Sequence, residues 1–200
     1  KIVSIVLSGD RSCALLLSED LYSVKCWGDT DADFKKGVQV NVDLLKKGET
    51  LEKIYASNHH VVVFGDVILA SGDNSVDQSG ADVQTRFLKE FVKPLTTILN
   101  VVDVALGPYS TFFLTADGKL FHAGRRPNND AEPYKTNVVP TLVDGLEQFN
   151  IVDISISDVF EKGFQRKIFI VFSTDQGEVY AWNFDLPIFK VEIEEPGFSY

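Results

Sequence analysis

The chain has 200 residues, 44% of them hydrophobic and 24% charged, with a net charge of −10. That is the balance of an ordinary soluble protein large enough for one sizeable core or a few repeated units. No apolar run approaches the length of a membrane span. The acidic balance opposes non-specific nucleic-acid binding, which needs Lys and Arg to displace counterions. Fifteen Phe and six Tyr favour strands. There is no Met, and Lys1 leads directly into the strand-like run Ile2–Leu7 with no signal segment, so the sequence is expected to be a piece of a longer or processed intracellular protein, the compartment within the cell left open.

In chain order, the first extended segment is Ile2–Leu7, followed by Cys13–Ser18 and Leu21–Trp27 around a turn at Glu19-Asp20. Cys13 and Cys26 are too few for a disulfide framework or a zinc site. They flank the turn, so a cross-strand bond is the alternative to the expected state, two free thiols. Asp29-Thr30-Asp31-Ala32-Asp33 opens like a calcium loop, but Phe34 and Val40 stand where Gly and Glu are required. A solvated linker is the better reading of Asp29–Thr50.

A second set follows: Leu51–Ala56, then Val61–Phe64 and Val67–Ser71 around Gly65-Asp66. In the linker Asp73–Leu99, Phe87, Leu88 and Phe91 fall at helical spacing and predict a short helix over Gln84–Lys93. The third set is Val101–Leu106, then Thr111–Thr115 and Lys119–Ala123 around Asp117-Gly118, a pair expected in a type I′ turn with positive φ at both residues. Arg125–Asn150 contains Pro127, Pro133 and Pro140 and reads as loop. The fourth set is Ile151–Ile156, then Lys167–Ser173 and Glu178–Trp182 around Asp175-Gln176-Gly177, with Val191–Glu194 as a further candidate strand.

The turn aspartates 20, 66, 117 and 175 recur about every 52 residues, a period of propeller or solenoid type. Three of the four second strands close on Gly: Trp27-Gly28, Ser71-Gly72 and Ala123-Gly124. The fourth closes on Trp182-Asn183.

These units resemble the repeat of the regulator-of-chromosome-condensation family, V-x-x-I-x-x-G-x-x-H, strand, D-G, strand ending in W-G, then N-x-x-G-Q-x-G and P-x-x-V-x-x-L. The resemblance covers roughly residues 2–183, and each copy is eroded. Gly107 matches the repeat glycine and Ser110 replaces the histidine. Gly9 matches and Ser12 replaces the histidine in the first unit. His60 keeps the histidine in the second, with Ser57 for Gly. Ser157 replaces the glycine in the fourth, where residues 161–165 are extra. Ser71–Gly80 follows W-G-x-N-x-x-G-Q-L-G with Ser71 for Trp and Asp77 for Gly, and Pro140, Val143 and Leu146 match P-x-x-V-x-x-L.

The resemblance implies an all-β fold, a β-propeller of about four blades, each a four-stranded antiparallel sheet. Residues 1–200 are expected to form a single partial propeller with units near 1–28, 51–72, 101–124 and 151–183. Family members usually have seven blades, which at this period need on the order of 360 residues. The missing blades are therefore expected in further sequence or in a partner chain.

No catalytic constellation or cofactor motif is present in the sequence. His59, His60 and His122 lack a supporting ligand set, so His60 is expected to hydrogen-bond in the core. Asp103 and Asp153 are expected to satisfy backbone donors as Asx motifs. The candidate partner contacts are Arg125 and Arg126, which follow the third unit, and Phe160, Lys162, Phe164 and Arg166 in and around the insertion of the fourth. The expected function is a non-catalytic protein–protein interaction scaffold, with other protein subunits as partners and no nucleic acid. The alternative implied by the resemblance is a guanine-nucleotide exchange factor for a small GTPase.

Overall fold

The computed structural model describes residues 1–9, 11–28, 32–81, 83, 85–94, 98, 100–125, 136–160, 166–183 and 187–192, with backbone alone at 32, 157–160 and 166–168. The strands are β1 Ile2–Ser8, β2 Arg11–Ser18, β3 Leu21–Gly28 and β4 Val38–Gln39; β5 Leu51–Ala56, β6 His60–Gly65, β7 Ile68–Asp73 and β8 Phe87–Val92; β9 Val101–Leu106, β10 Ser110–Thr115, β11 Leu120–Arg125 and β12 Thr136–Leu142; β13 Ile151–Phe160, β14 Arg166–Thr174, β15 Val179–Trp182 and β16 Phe189–Lys190. Each set of four forms its own antiparallel sheet in chain order. These are four blade-like units, and the strand segments expected at the first three positions of each unit form within a residue or two of their expected bounds, except that β13 runs to Phe160, four residues past the expected Ile156. No described helix is long and apolar enough to cross a membrane.

Alternation along the first three strands gives the second and third blades two apolar faces, one toward the preceding blade and one toward the next. Cys13, Leu15 and Val24 of the first blade pack with Ile54, Val61 and Val63 of the second. Val62 and Ala70 of the second pack with Val104, Phe113 and Ala123 of the third. Ala105, Phe112 and Leu114 of the third pack with Ile154, Ile170 and Phe172 of the fourth. Among the described residues the core is these three inter-blade clusters, each joining neighbours in sequence. The first strands stand side by side in the order β1, β5, β9, β13.

The same tie recurs where each first strand begins. The backbone N–H groups of Asp66, Ala116 and Asp175, in the turns between second and third strands, donate to the carbonyls of Thr50, Asn100 and Asn150.

Several expectations are corrected. Cys13 and Cys26 are not free thiols. They are direct cross-strand partners 4.1 Å apart at Cα, buried in the same cluster and joined as a disulfide. The segment 87–92 is strand, not helix: β8 pairs with β7. The linkers 29–50 and 125–150 likewise contain β4 and β12, and the last strand among the described residues is Phe189–Lys190; Val191 and Glu192 lie outside it, and 193–194 fall outside the described residues. Asp117-Gly118 is not a two-residue type I′ turn. Only Gly118 has positive φ (74°), with Gly118 N–H to Thr115 O at 2.9 Å and Thr115 N–H to Lys119 O at 2.9 Å. Ala116-Asp117-Gly118 is thus a three-residue loop, a type I turn ending in a left-handed glycine. The two-residue turn with both φ positive is Glu19-Asp20, at 50° and 63°.

Candidate protein-interaction face

In every blade the end of the first strand, the start of the second and the end of the third lie at one end of the sheet. That end carries the loops in which the sequence placed partner contacts. Beneath them the third strand closes on a glycine with φ of 92°, 110° and 90° at Gly28, Gly72 and Gly124. A Cβ at Gly72 would lie 2.8 Å from His59 O, and one at Gly124 would lie 2.5 Å from Tyr109 O, so the turn packs directly on the strand end. Asp73 N–H then donates to His59 O and Arg125 N–H to Tyr109 O, both at 2.9 Å. His59 and Tyr109, from adjacent blades, stack with ring centroids 4.9 Å apart.

Strand pairing shows which residue holds the repeat histidine's place. Opposite the three closing glycines stand Arg11, His60 and Ser110. In the first blade Arg11, not Ser12, therefore occupies the histidine position, and Ser8, not Gly9, that of the repeat glycine. Ser8 pairs with Arg11 as Ser57 N–H bonds His60 O and Gly107 N–H bonds Ser110 O.

This position builds a buried polar relay across three blades. The Arg11 guanidinium donates from Nη2 to His60 O at 2.8 Å. Thr111 Oγ1 donates to Gln78 O at 2.6 Å, so toward His60 Nε2, 2.9 Å away, it can only accept. His60 is thereby a neutral Nε2–H tautomer, and Nδ1 accepts from Ser57 Oγ at 2.9 Å. Ser57 Oγ in turn accepts the N–H groups of His59 and His60. Burial, with Arg11 and His59 adding to it, lowers the His60 pKa to about 3. The expectation of a core hydrogen-bonding histidine holds, and among the described residues no group of His, Cys, Asp and Glu is placed to hold a metal.

The loop after β7 supports the relay. Asn74 Oδ1 accepts Ser79 N–H, its amide donates to Val83 O and Thr85 O, and Gln78 Oε1 accepts Val76 N–H. Asp77 takes the left-handed φ of 61° where the repeat has glycine. Asp103 is not an Asx motif: it accepts from Tyr55 Oη across two blades. Burial first, then that bond, raises the tyrosine's pKa.

Of the sequence-predicted contacts, Arg125 ends β11 at this face, half-buried, its carbonyl accepting from His122 Nε2 at 3.2 Å. Phe160 and Arg166 are partners at the tip of the β13–β14 pairing, which runs four rungs past the rung Ile156–Ile170, where pairing to β15 ends. Arg126, Lys162 and Phe164 lie outside the described residues, as do Asp29, Thr30 and Asp31. The face therefore gathers Arg125 and the long β13–β14 ladder at one end of the third and fourth blades. Sequence reasoning missed the Arg11–Ser57–His60–Thr111 relay, whose signal was strand register.

Four-stranded antiparallel units stacked through both faces define an arrangement of propeller-blade type. Similar arrangements occur in human WBSCR16 (TM-score 0.68, 17% identity, 92% of this chain and 49% of that one) and in Prp20p from Saccharomyces cerevisiae, whose binding to Gsp1p and histones accompanies its structure (TM-score 0.61, 18% identity, 90% and 43%). The structure of Kap60 bound to yeast RCC1 (Prp20) is also similar (TM-score 0.62, 20% identity, 92% and 44%). This is a distant, partial likeness of fold to RCC1, and the chain spans under half the length of each of these three chains. No protein-family model matches the sequence, and no curated protein matches it.

Proposed function

We propose that this chain is a non-catalytic protein-interaction module, its blades a scaffold and its loop-bearing face the contact surface. The observation that carries the reading is the likeness of fold to Prp20p over nine-tenths of the chain, combined with a face at which Arg125 and the β13–β14 ladder lie. Loops on a rigid scaffold are where binding residues concentrate.

The alternative, from a different class, is nucleotide exchange on a small GTPase, which the likeness to Prp20p supports, since the binding of Prp20p to Gsp1p accompanies its structure. The test is release of a fluorescent guanine nucleotide from a panel of small GTPases, with and without the chain, alongside equilibrium binding of the nucleotide-free forms. Accelerated release supports exchange. Binding without release supports the scaffold reading alone. Neither release nor binding across the panel removes the GTPase assignment.

A further inference from the structure

The first blade turns outward the face that each later blade buries against its predecessor. Register identifies the equivalent positions. Ile5 pairs with Ala14 as Ile54 pairs with Val63, Val104 with Phe113 and Ile154 with Phe172. Ile54, Val104 and Ile154 are 2–7% exposed, each seated on the blade before it, whereas Ile5 is 70% exposed. Leu7, one step along the same face, is 80% exposed, and Ile2 is 64% exposed where Leu51 and Ile151 are buried. Trp27 stands opposite Ser12 as Ala123 stands opposite Thr111; Ala123 is buried against the second blade, and Trp27 is 50% exposed with the Lys25 ammonium above its ring. Four large apolar side chains on one sheet face form a patch of the kind that marks an interaction site.

The opposite end of the molecule does not match it. The face that the third blade presents forward carries Phe112, Leu114 and Leu120; the fourth has Val171, Ser173 and Val179 at those positions, with Ser155 in place of Ala105. A second copy stacked head to tail would press Ile5, Leu7 and Trp27 against a face where Ser155 and Ser173 interrupt Val171 and Val179, and a net charge of −10 adds repulsion.

We infer that the Ile2–Ile5–Leu7–Trp27 face is the seat of a further four-stranded blade contributed by the same polypeptide outside residues 1–200. All three inter-blade clusters join units adjacent in sequence, so continuity of that interface assigns this seat to the unit preceding β1. The incoming surface is an apolar sheet face with side chains at the Cys13, Leu15 and Val24 positions of its own repeat. This inference does not depend on the GTPase reading.

The test places a photo-cross-linking benzoylphenylalanine at position 7, and separately at exposed Lys46, in the full polypeptide expressed in its own cells. A cross-link from position 7 to a peptide of the same polypeptide preceding residue 1, above the Lys46 level, is the expected result. A cross-link into residues 1–200 of a second copy, a cross-link to a different protein, or a yield no higher than at Lys46 overturns the inference. As an independent readout, the 200-residue chain should bind a hydrophobic dye several-fold less when it carries Ile5→Asn with Leu7→Asn. Equal binding would mean that the face is not open and would also overturn the inference.

Discussion

Between the first and third blades, Arg11, Ser57, His60 and Thr111 link neighbouring sheets through buried hydrogen bonds laid over an apolar cluster. Between the third and fourth blades the corresponding residue is Ser110, whose hydroxyl is buried with no partner among the described residues, and the junction rests on Phe112, Leu114, Ile154, Ile170 and Phe172. The two kinds of junction share register and differ in chemistry. Apolar burial holds blades together anywhere along the stack and tolerates small slips. A relay with fixed donors and acceptors holds one register only, because a shifted blade leaves buried polar groups unpaired.

The largest effect is expected where the apolar junction stands alone. Phe172→Ala empties the centre of the third–fourth cluster, where Tyr180 stacks on the ring and Phe149 meets it edge-on. A loss of about 3–5 kcal/mol follows from cavity formation at such a site. Urea denaturation measures the size. Hydrogen exchange tests the comparison: protection should fall in β13–β15 and persist in β2 and β6. Uniform loss over all four blades would mean that the junctions do not act separately.

In the first junction the covalent link comes next. Cys13→Ser with Cys26→Ser reopens a short hairpin loop, and loops of that size correspond to about 3 kcal/mol in the chain-entropy account. Thermal melts under non-reducing conditions compare the variant with the parent. Because the bond lies within one blade, exchange at β6 and β10 should change less than at β2 and β3.

His60→Gln removes the imidazole that joins Ser57 to Thr111, at a cost of about 2–3 kcal/mol from buried donors and acceptors left unpaired. It also changes the pH dependence. The folded pKa of about 3 lies below the ordinary 6.5, so the fold holds the neutral ring while the unfolded chain takes up a proton. Above pH 6.5 both states are neutral and nothing is lost. As pH falls from 6.5 toward 3, stability drops by up to about 1.4 kcal/mol per unit. Denaturation midpoints from pH 7 to 4.5 should fall in the parent and stay flatter in His60→Gln; parallel slopes would show that another group carries the effect.

The sequence revealed the first three strands of each blade because β-branched alternation and Asp- or Gly-bearing turns are local signals. It misplaced β8 for a structural reason. Leu88 pairs with Gly72 and Val92 with Ala70, so two extra residues on β8 break the period of two and leave Leu88 and Phe91 buried three apart, which imitates a helix. Register in the first blade was hidden similarly. Gly9 has the left-handed φ of 53° and fits under Asn58, so it passes for the repeat glycine while lying in the loop beyond it. With that slip Arg11 looked like a loop residue, and a relay spanning 49 and 51 residues had no local trace. Arg125 was legible because it directly follows a recognisable strand end.

The smallest predicted effects discriminate best, because they differ in sign. Ser57, in the turn between β5 and β6, and Ser110, the first residue of β10, are both buried. Ser57 Oγ donates to His60 Nδ1 and accepts two backbone N–H groups, so Ser57→Ala strips a partner from each and should cost about 1–2 kcal/mol. Ser110 Oγ has no hydrogen-bond partner among the described residues and sits over Gly107, whose added Cβ would meet it at 2.4 Å. Ser110→Ala removes a desolvated hydroxyl without orphaning a neighbour and should leave stability unchanged or raise it by less than about 1 kcal/mol. Paired urea titrations at pH 7 resolve the two. Equal losses would mean that a hydrogen bond to Ser110 extends the relay into the fourth blade, and the contrast between the two junctions would then be void.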